Sequence, residues 1–392
     1  MSVSELQALE SRWLMPTYER APVEFVRGEG ARLWDVDGKR YLDFFAGLGV
    51  MNAGHCHPRI TEAIREQAGR LVGVSNLYYS EPGVRLGERL AESSLGGRVF
   101  LCNSGAEANE AAIKLARKHA HARGIAKPEV VVLDSGFHGR TIATLTASPK
   151  IASEELFGPL PRGFRTVARD DAAALEAAVG RSTAAVLFET IQGEAGVHPI
   201  PDDVMAAARR ACDATGALLV VDEIQTGMGR TGSLWAWEQG PARPDVMSAA
   251  KALGGGLPVG ACVTSPGLED VLAAGEHGST FAGAPLAASA ALAALGVLDD
   301  PALLRRVREL GARLASSLTE LDGVAEVRGR GLMLGVALVD GLDGPAVAGR
   351  ALDGGLVINA PDPMTLRLLP PLVIGSAEVD EAVGVLARCL EA

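Results

Sequence analysis

Short apolar runs that stop at charged or glycine-rich turns recur along this chain, spaced so that a helix fits between one and the next. Ala217 to Val221 is such a run, and it ends abruptly at Asp222-Glu223, as a buried parallel strand ends at a ligand site. Asp245 to Ala250 is a second, and it delivers Lys251 and then Gly254-Gly255-Gly256. Arg98 to Asn103, Val130 to Leu133 and Ala184 to Phe188 predict further strands. Helices are expected from Ser104 to about Arg123 and over Ala206 to Ala214. This strand–helix repetition from 98 to 250 predicts an α/β fold with a mainly parallel sheet and helices on both faces.

The flanks read differently. Arg32 to Val36 and Arg40 to Phe44 surround Asp37-Gly38, which predicts a β-hairpin. Ile60 to Leu71 and Val84 to Leu95 carry apolar residues at helical spacing. Gly278 to Leu298 has no charged residue and is long enough to span a bilayer, but it is mostly Ala, Gly and Ser with Pro285 inside. A loop followed by a closely packed buried helix is the expectation. Ala302 to Leu321 is amphipathic, with Arg305, Arg306, Arg308 and Arg313 solvated. Val324 to Val339 and Leu356 to Pro370 predict strands of a smaller domain. The expected division is a segment 1–48 packing with the small domain, a large domain 49–285 and a small domain 286–392.

With 392 residues, 48% of them hydrophobic and 22% charged, the chain can bury more than one ordinary core. Its net charge of −11 argues against nucleic acid or an anionic membrane as partner, so an anionic substrate would need local arginines. Five cysteines, with no C-x-x-C pair, fit a reducing cytosol. The N-terminus is acidic where a signal peptide would be basic, and a cytoplasmic location is expected.

Asp222 and Lys251, each at the end of an apolar run, form the pair that pyridoxal phosphate chemistry needs. A lysine amine condenses with the aldehyde, and a carboxylate pairs with the protonated ring nitrogen. The alternative for each is structural: a turn cap and a solvated lysine. Ser104-Gly105-Ala106-Glu107 follows a strand and opens a helix, so free backbone N–H groups and the helix dipole face one point and suit a phosphate. Ser104 and Glu107 also fit a plain capping box. The loop after the strand at 130–133 offers Phe137 to stack on a ring and Arg140 to grip a carboxylate, or is an ordinary surface loop. His55 and His57 lack a matching ligand set, so no metal is expected. Gly227-Met-Gly-Arg-Thr-Gly232 satisfies G-x-G-x-x-G but opens no convincing helix, which argues against a dinucleotide site. G-x-x-x-x-G-K-[ST] and G-x-S-x-G are both missing from the sequence.

Taken together, N-S-G-A-E-A-N (103–109), F-H-G-R (137–140), Q-G-E (192–194), V-D-E-I-Q-T-G-M-G-R-T-G (221–232), A-K-A-L-G-G-G-L-P-V-G-A (250–261) and H-G-S-T-F-A-G (277–283) closely resemble the class III, fold type I pyridoxal phosphate aminotransferases. The likeness runs from about Pro16 to Arg367-Leu-Leu-Pro. It implies a large sheet domain plus a smaller α+β domain built from both chain ends. It further implies that Lys251 is the Schiff-base lysine, that Asp222 pairs with the pyridinium nitrogen and that Gln225 bonds the phenolic oxygen. Ser104, Gly105 and Ala106 would hold the phosphate, Phe137 would lie over the ring, and Glu223 and Ile224 would line the cofactor site. Ala106 stands where many relatives have Thr, which removes a hydroxyl and keeps the backbone donor. The resemblance also implies a homodimer in which Thr280 reaches the partner subunit's phosphate and Ser279 touches substrate. Arg140 and Arg367 match carboxylate-binding arginines, and Glu194 matches the acid that pairs with Arg367 when an ω-amine is bound.

Within the class, the compact length, G-H-C-H-P (54–58) and S-N-L-Y-Y-S-E-P (75–82) are most similar to the acetylornithine aminotransferases. That similarity implies transfer of the δ-amino group of acetylornithine to 2-oxoglutarate, in arginine biosynthesis. Three alternatives stay open at this level. They are another ω-amine (ornithine, succinylornithine, a carrier-protein-linked lysine precursor or 4-aminobutyrate), an aminomutase of the glutamate-1-semialdehyde type, and a non-catalytic cofactor-binding protein.

Overall fold

Seven strands form the central sheet in the computed structural model, which describes residues 2–391. They are β1 (Val99–Cys102), β2 (Glu129–Leu133), β3 (Phe164–Val167), β4 (Thr183–Glu189), β5 (Leu218–Asp222), β6 (Val246–Ala249) and β7 (Gly260–Thr264). Their spatial order is β1-β7-β6-β5-β4-β2-β3. β5 runs parallel to both neighbours, with Asp222 opposite Ser248 on β6 and Glu189 on β4. Only β7 runs antiparallel to its neighbours β6 and β1, so the sheet is mainly parallel, as its alternating pattern predicts.

Every residue of β4, β5, β6 and β7 is buried, which is why these strands read as continuous apolar runs rather than as alternating ones. The pleat still divides them. Val130, Val132, Leu187 and Val220 pack on one face with Ala111, Ala112, Leu115 and Ala116 of the helix Gly105–Ala122. Val131, Leu133, Val186, Leu219 and Val221 pack on the other with Val204, Met205 and Ala208 of the helix Asp202–Thr215. That second helix stops at Gly216, whose φ of 72° is the left-handed conformation a helix end favours.

The two chain ends meet in a smaller unit. The hairpin Arg32–Asp35 and Arg40–Asp43 forms as predicted, its turn held by Asp35 Oδ1, which accepts from Asp37 N–H (3.0 Å) and Lys39 N–H (2.8 Å). Leu356–Val357 then pairs in parallel with Arg40–Asp43, joining the N-terminal hairpin to the C-terminal segment. A four-stranded antiparallel sheet follows, in the order Val324–Arg330, Met333–Leu338, Thr365–Leu368, Asn359–Asp362. The amphipathic helix spans Pro301–Thr319, and its four arginines face solvent.

Pro285–Leu298 is the buried helix expected from its small residues. It lies against the helices Pro58–Ala68 and Glu81–Glu92 and against the turn Lys251–Gly254. Its main packing partners thus precede it in the chain. No single helix among the described residues is long and apolar enough to cross a membrane.

Candidate active site

β4, β5 and β6 end side by side, and a cavity of about 430 Å³ opens beyond their carboxyl ends. That is where open α/β sheets keep ligands. Asp222, the last residue of β5, forms its floor. Asn109 Nδ2 donates to Asp222 Oδ2 (2.7 Å), and the Ile224 N–H donates to Oδ1 (3.0 Å). His138 Nδ1 sits 2.8 Å from the same Oδ2. Burial works against a charged imidazole at His138, yet the Asp222 carboxylate overrides it and raises the histidine's pKa. His138 Nε2 is buried with no partner, so the Nδ1–H tautomer facing Asp222 leaves nothing else for the ring to do.

Lys251 follows β6 and faces the same cavity. Its φ is 48°, a conformation that costs a non-glycine residue and clusters at functional sites. Burial holds its amine below the ordinary lysine range; Glu194, Asp222 and Glu189 act in the other direction. A lowered pKa favours the neutral amine, the form that serves as nucleophile and base.

Ser104 caps the helix Gly105–Ala122 by accepting from the Glu107 N–H (3.2 Å). The expected box is only half made, because the Glu107 carboxylate takes the Asn103 N–H (2.9 Å) and the Ser104 hydroxyl. Gly105 and Ala106, in the first turn of this helix, line the cavity, and first-turn N–H groups have no partner within a helix, as a phosphate cradle requires. A Cβ on Gly105 would lie 2.6 Å from Ile224 Cδ1, so a larger residue here would force the Ile224 side chain to shift. Phe137 lines the cavity as well, and Arg140 lies with its guanidinium carbon 5.8 Å from the Phe137 ring centre.

On the opposite side Arg367, from the antiparallel sheet of the smaller unit, is almost fully buried. It donates to Glu194 Oε1 (2.6 Å), to the Gly193 carbonyl (3.0 Å) and to Gln225 Oε1 (3.4 Å), and its Nε donates to Asn359 Oδ1 (3.1 Å). Burial acts against the Glu194 carboxylate, but the Arg367 guanidinium beside it holds it below the usual carboxylate range. Gln225 Nε2 adds a donor to Glu194 at 3.4 Å.

Of the residues singled out from the sequence, Ser104, Gly105, Ala106, Phe137, Glu194, Asp222, Ile224, Gln225 and Lys251 line one cavity. Arg367 touches two of them. Glu223 does not join: its carboxylate turns the other way, accepting from the Trp237 N–H (2.7 Å) and the Thr226 hydroxyl (2.8 Å), and burial pushes its pKa up to about 7. Ser279 lies outside the cavity with its hydroxyl on Asn103 (2.7 Å), and Thr280 is exposed. Asn109, His138 and Glu189 were not assigned roles from the sequence. The first two sit inside motifs of the site and Glu189 at a strand end, so the signal was there without a partner to give it meaning. The 227–232 glycines form a tight turn, and Arg230 within it is buried against the Leu332 and Pro370 carbonyls and Asn52. His55 pairs with Asp43 (Nε2 to Oδ2, 2.6 Å).

A family model for class-III aminotransferases matches residues 15–390. The chain belongs to the class-III aminotransferase family. Among curated relatives of this class-III aminotransferase, the acetylornithine aminotransferase of Methanocaldococcus jannaschii is 43% identical over 383 residues, covering 96% of each chain. Among solved structures, the ornithine aminotransferase of Toxoplasma gondii superposes with a TM-score of 0.95 at 34% identity, covering 100% of this chain and 95% of that one. The acetylornithine aminotransferase of Elizabethkingia anophelis gives 0.90 at 35% identity, covering 100% and 99%. The fold of this class-III aminotransferase is thus shared with enzymes named for two different ω-amines.

Proposed function

We propose that this chain binds pyridoxal 5'-phosphate in the cavity at Lys251. We further propose that it transfers the δ-amino group of N2-acetyl-L-ornithine to 2-oxoglutarate, giving N-acetyl-L-glutamate 5-semialdehyde and L-glutamate. The observation that carries the reading is the meeting of Lys251, Asp222 and the free helix end at Gly105 in one cavity. These residues fit the cofactor's three handles: an amine for the aldehyde, a carboxylate for the ring nitrogen and backbone donors for the phosphate. Bound there, the cofactor supplies a ring that accepts negative charge from the substrate carbon.

The chain's own residues do the rest. Asp222, oriented by Asn109, the Ile224 N–H and His138, would hold a proton on the ring nitrogen. The Lys251 amine, lowered in pKa by burial, would take a proton from one carbon and return it to another. Phe137 would cover one ring face and exclude water. Gln225 would meet the phenolic oxygen, and Glu223 would steady the loop from behind. Arg140 would grip the α-carboxylate of the amine donor. Arg367 would grip a carboxylate of 2-oxoglutarate once Glu194 gives way, because a guanidinium already paired with one carboxylate cannot take a second in the same place.

Choice of the acetylated amine over free ornithine rests on the curated relatives' names and on the likeness of residues 54–58 and 75–82. A homodimer, a cytoplasmic location and a place in arginine biosynthesis complete the proposal. Support for the dimer comes from the surface around Thr280. There Phe281 is 74% exposed and Tyr79 is 99% exposed, a display of large apolar groups that a second copy would cover. Thr280 and Ser279 would then complete the partner's site and the substrate pocket.

The test is an absorbance spectrum of the cofactor-loaded protein before and after N-acetylornithine, with no keto acid present. Loss of the yellow band with gain of the amine-form band supports the reading. An unchanged spectrum that does respond to ornithine moves the assignment to that amine. A protein that never turns yellow with added cofactor overturns it.

A further inference from the structure

Glu189 ends β4 at the cavity wall and is 6% exposed. Each oxygen of its carboxylate accepts one backbone N–H. Oε1 accepts the Phe137 N–H (2.9 Å), and Oε2 accepts the Gly193 N–H (3.3 Å). Phe137 begins the loop that carries Arg140, whose guanidinium borders the Phe137 ring. Gly193 precedes Glu194 and is held through both flanking peptides: Glu189 accepts its N–H, and Arg367 donates to its carbonyl at 3.0 Å. A Cβ on Gly193 would fall 1.8 Å from Gln225 Oε1, so this peptide is wedged against the glutamine that also donates to Glu194. One buried carboxylate thus ties together the two loops through which the site handles substrate carboxylates.

We propose that Glu189 is a positioning residue that keeps the Glu194–Arg367 pair closed and so sets the balance between an ω-amine donor and a dicarboxylate acceptor. The inference rests on the functional reading given above. Its logic is geometric. With the Gly193 peptide pinned, Glu194 stays where Arg367 can donate to it, and the guanidinium is masked while a monocarboxylate amine is bound. A dicarboxylate must displace Glu194, and the pin is part of what it works against. Loosening the pin therefore helps the dicarboxylate and harms the amine, whereas a general weakening of the site harms both.

Glu189→Gln is nearly isosteric, but its NH2 group must face one of the two backbone N–H donors, so one of the two ties is lost. Half-reactions of the cofactor-loaded enzyme, run beside the wild type, should show the apparent affinity for N-acetylornithine falling and that for 2-oxoglutarate rising. Each change should be about threefold to tenfold, the size of one lost hydrogen bond. Calorimetric titration with glutarate, a dicarboxylate that cannot react, should show tighter binding by a similar factor. In a Glu194→Gln background the effect of Glu189→Gln should largely vanish, since the pair it acts through is gone. Glu189→Asp, which draws the carboxylate back by one methylene, should give the same opposed changes and serves if the Gln variant does not fold. Parallel losses for both substrates, unchanged glutarate affinity, or an effect of full size in the Glu194→Gln background would each overturn the proposal. Failure of the wild type itself to react with acetylornithine would instead strike the functional reading, and the glutarate titration would still judge Glu189.

Discussion

His138 holds Nδ1 2.8 Å from Asp222 Oδ2, and both side chains are almost wholly buried. The imidazole's other nitrogen has no partner, so the ring's single polar contact is the carboxylate at the cavity floor. A hydrogen bond to a buried charged group contributes about 1.5–3 kcal/mol. Replacing His138 with Phe, which fills the same space without a donor, should lower kcat/KM by about 10-fold to 100-fold on that scale. The pH dependence of the bound cofactor's absorbance should shift with it. An unchanged absorbance profile would mean that His138 only fills space.

Arg367 is committed to Glu194, Gly193 and Asn359 by three donor contacts. Lysine in its place keeps the charge and loses the fork. Arg367→Lys should raise KM for 2-oxoglutarate by about 10-fold to 100-fold, the range of a charge-assisted pair. KM for acetylornithine should move much less. Equal changes in both would remove Arg367 from the role of dicarboxylate receptor.

The helix end at Gly105 approaches Ile224 so closely that a methyl group there would meet Ile224 Cδ1 at 2.6 Å. Gly105→Ala should push the phosphate cradle away from the β5 loop at an overpacking cost of about 1–3 kcal/mol. The dissociation constant for pyridoxal phosphate, followed by fluorescence quenching, should rise by about 5-fold to 100-fold on the same scale. Retention of wild-type cofactor affinity would show that Ile224 yields without disturbing the cradle.

Glu223 gives a prediction about stability and pH. Burial raises its folded-state pKa to about 7, well above the ordinary carboxylate range. The folded protein therefore holds this proton over a range where the unfolded chain has released it. The group's stabilising contribution is complete below the unfolded value and is lost as pH rises through about 7. Glu223→Gln cannot titrate. Between pH 5 and pH 8 its unfolding free energy should gain on the wild type by about 1–3 kcal/mol, from urea denaturation at each pH. A constant difference at both pH values would mean that the carboxylate stays charged throughout.

How far the chain could be read in advance depends on the range of the interaction. Strands β4 to β6 were legible because burial on both faces of a parallel strand writes an unbroken apolar run, and the residue that ends such a run is exposed to the crevice. Asp222 and Lys251 were found for that reason. The hairpin at Asp37-Gly38 and the helix cap at Ser104 were legible because their hydrogen bonds close within a few residues. The ends of elements were less so: helices expected at Ile60 and Val84 begin at Pro58 and Glu81, where a proline in the first turn fits the helix start and apolar spacing gives no signal.

Residues 103–109, 137–140, 192–194, 221–232 and 250–261 carried enough local pattern to announce an aminotransferase and to name most of the cavity's lining. Direction and partnership of side chains were another matter. Glu223 and Asp222 are adjacent, and the period of a strand sends their carboxylates to opposite sides, one to the cavity and one to Trp237. Glu189, His138 and Asn109 gain meaning only when three strands and a helix converge, because their contacts to Phe137 and Asp222 span tens of positions. The amino-acid sequence by itself determined five of the sheet's seven strands and the chemical types gathered at their ends, since these follow from periodicity and short-range hydrogen bonds; the strands Phe164–Val167 and Gly260–Thr264 were not anticipated. Only the tertiary structure decided that Glu189 would bridge the loops of Phe137 and Gly193 and that Arg367 would arrive from the far sheet to close on Glu194. The first contact depends on how loops of the central sheet converge and the second on the packing of the two units, and no local pattern encodes either.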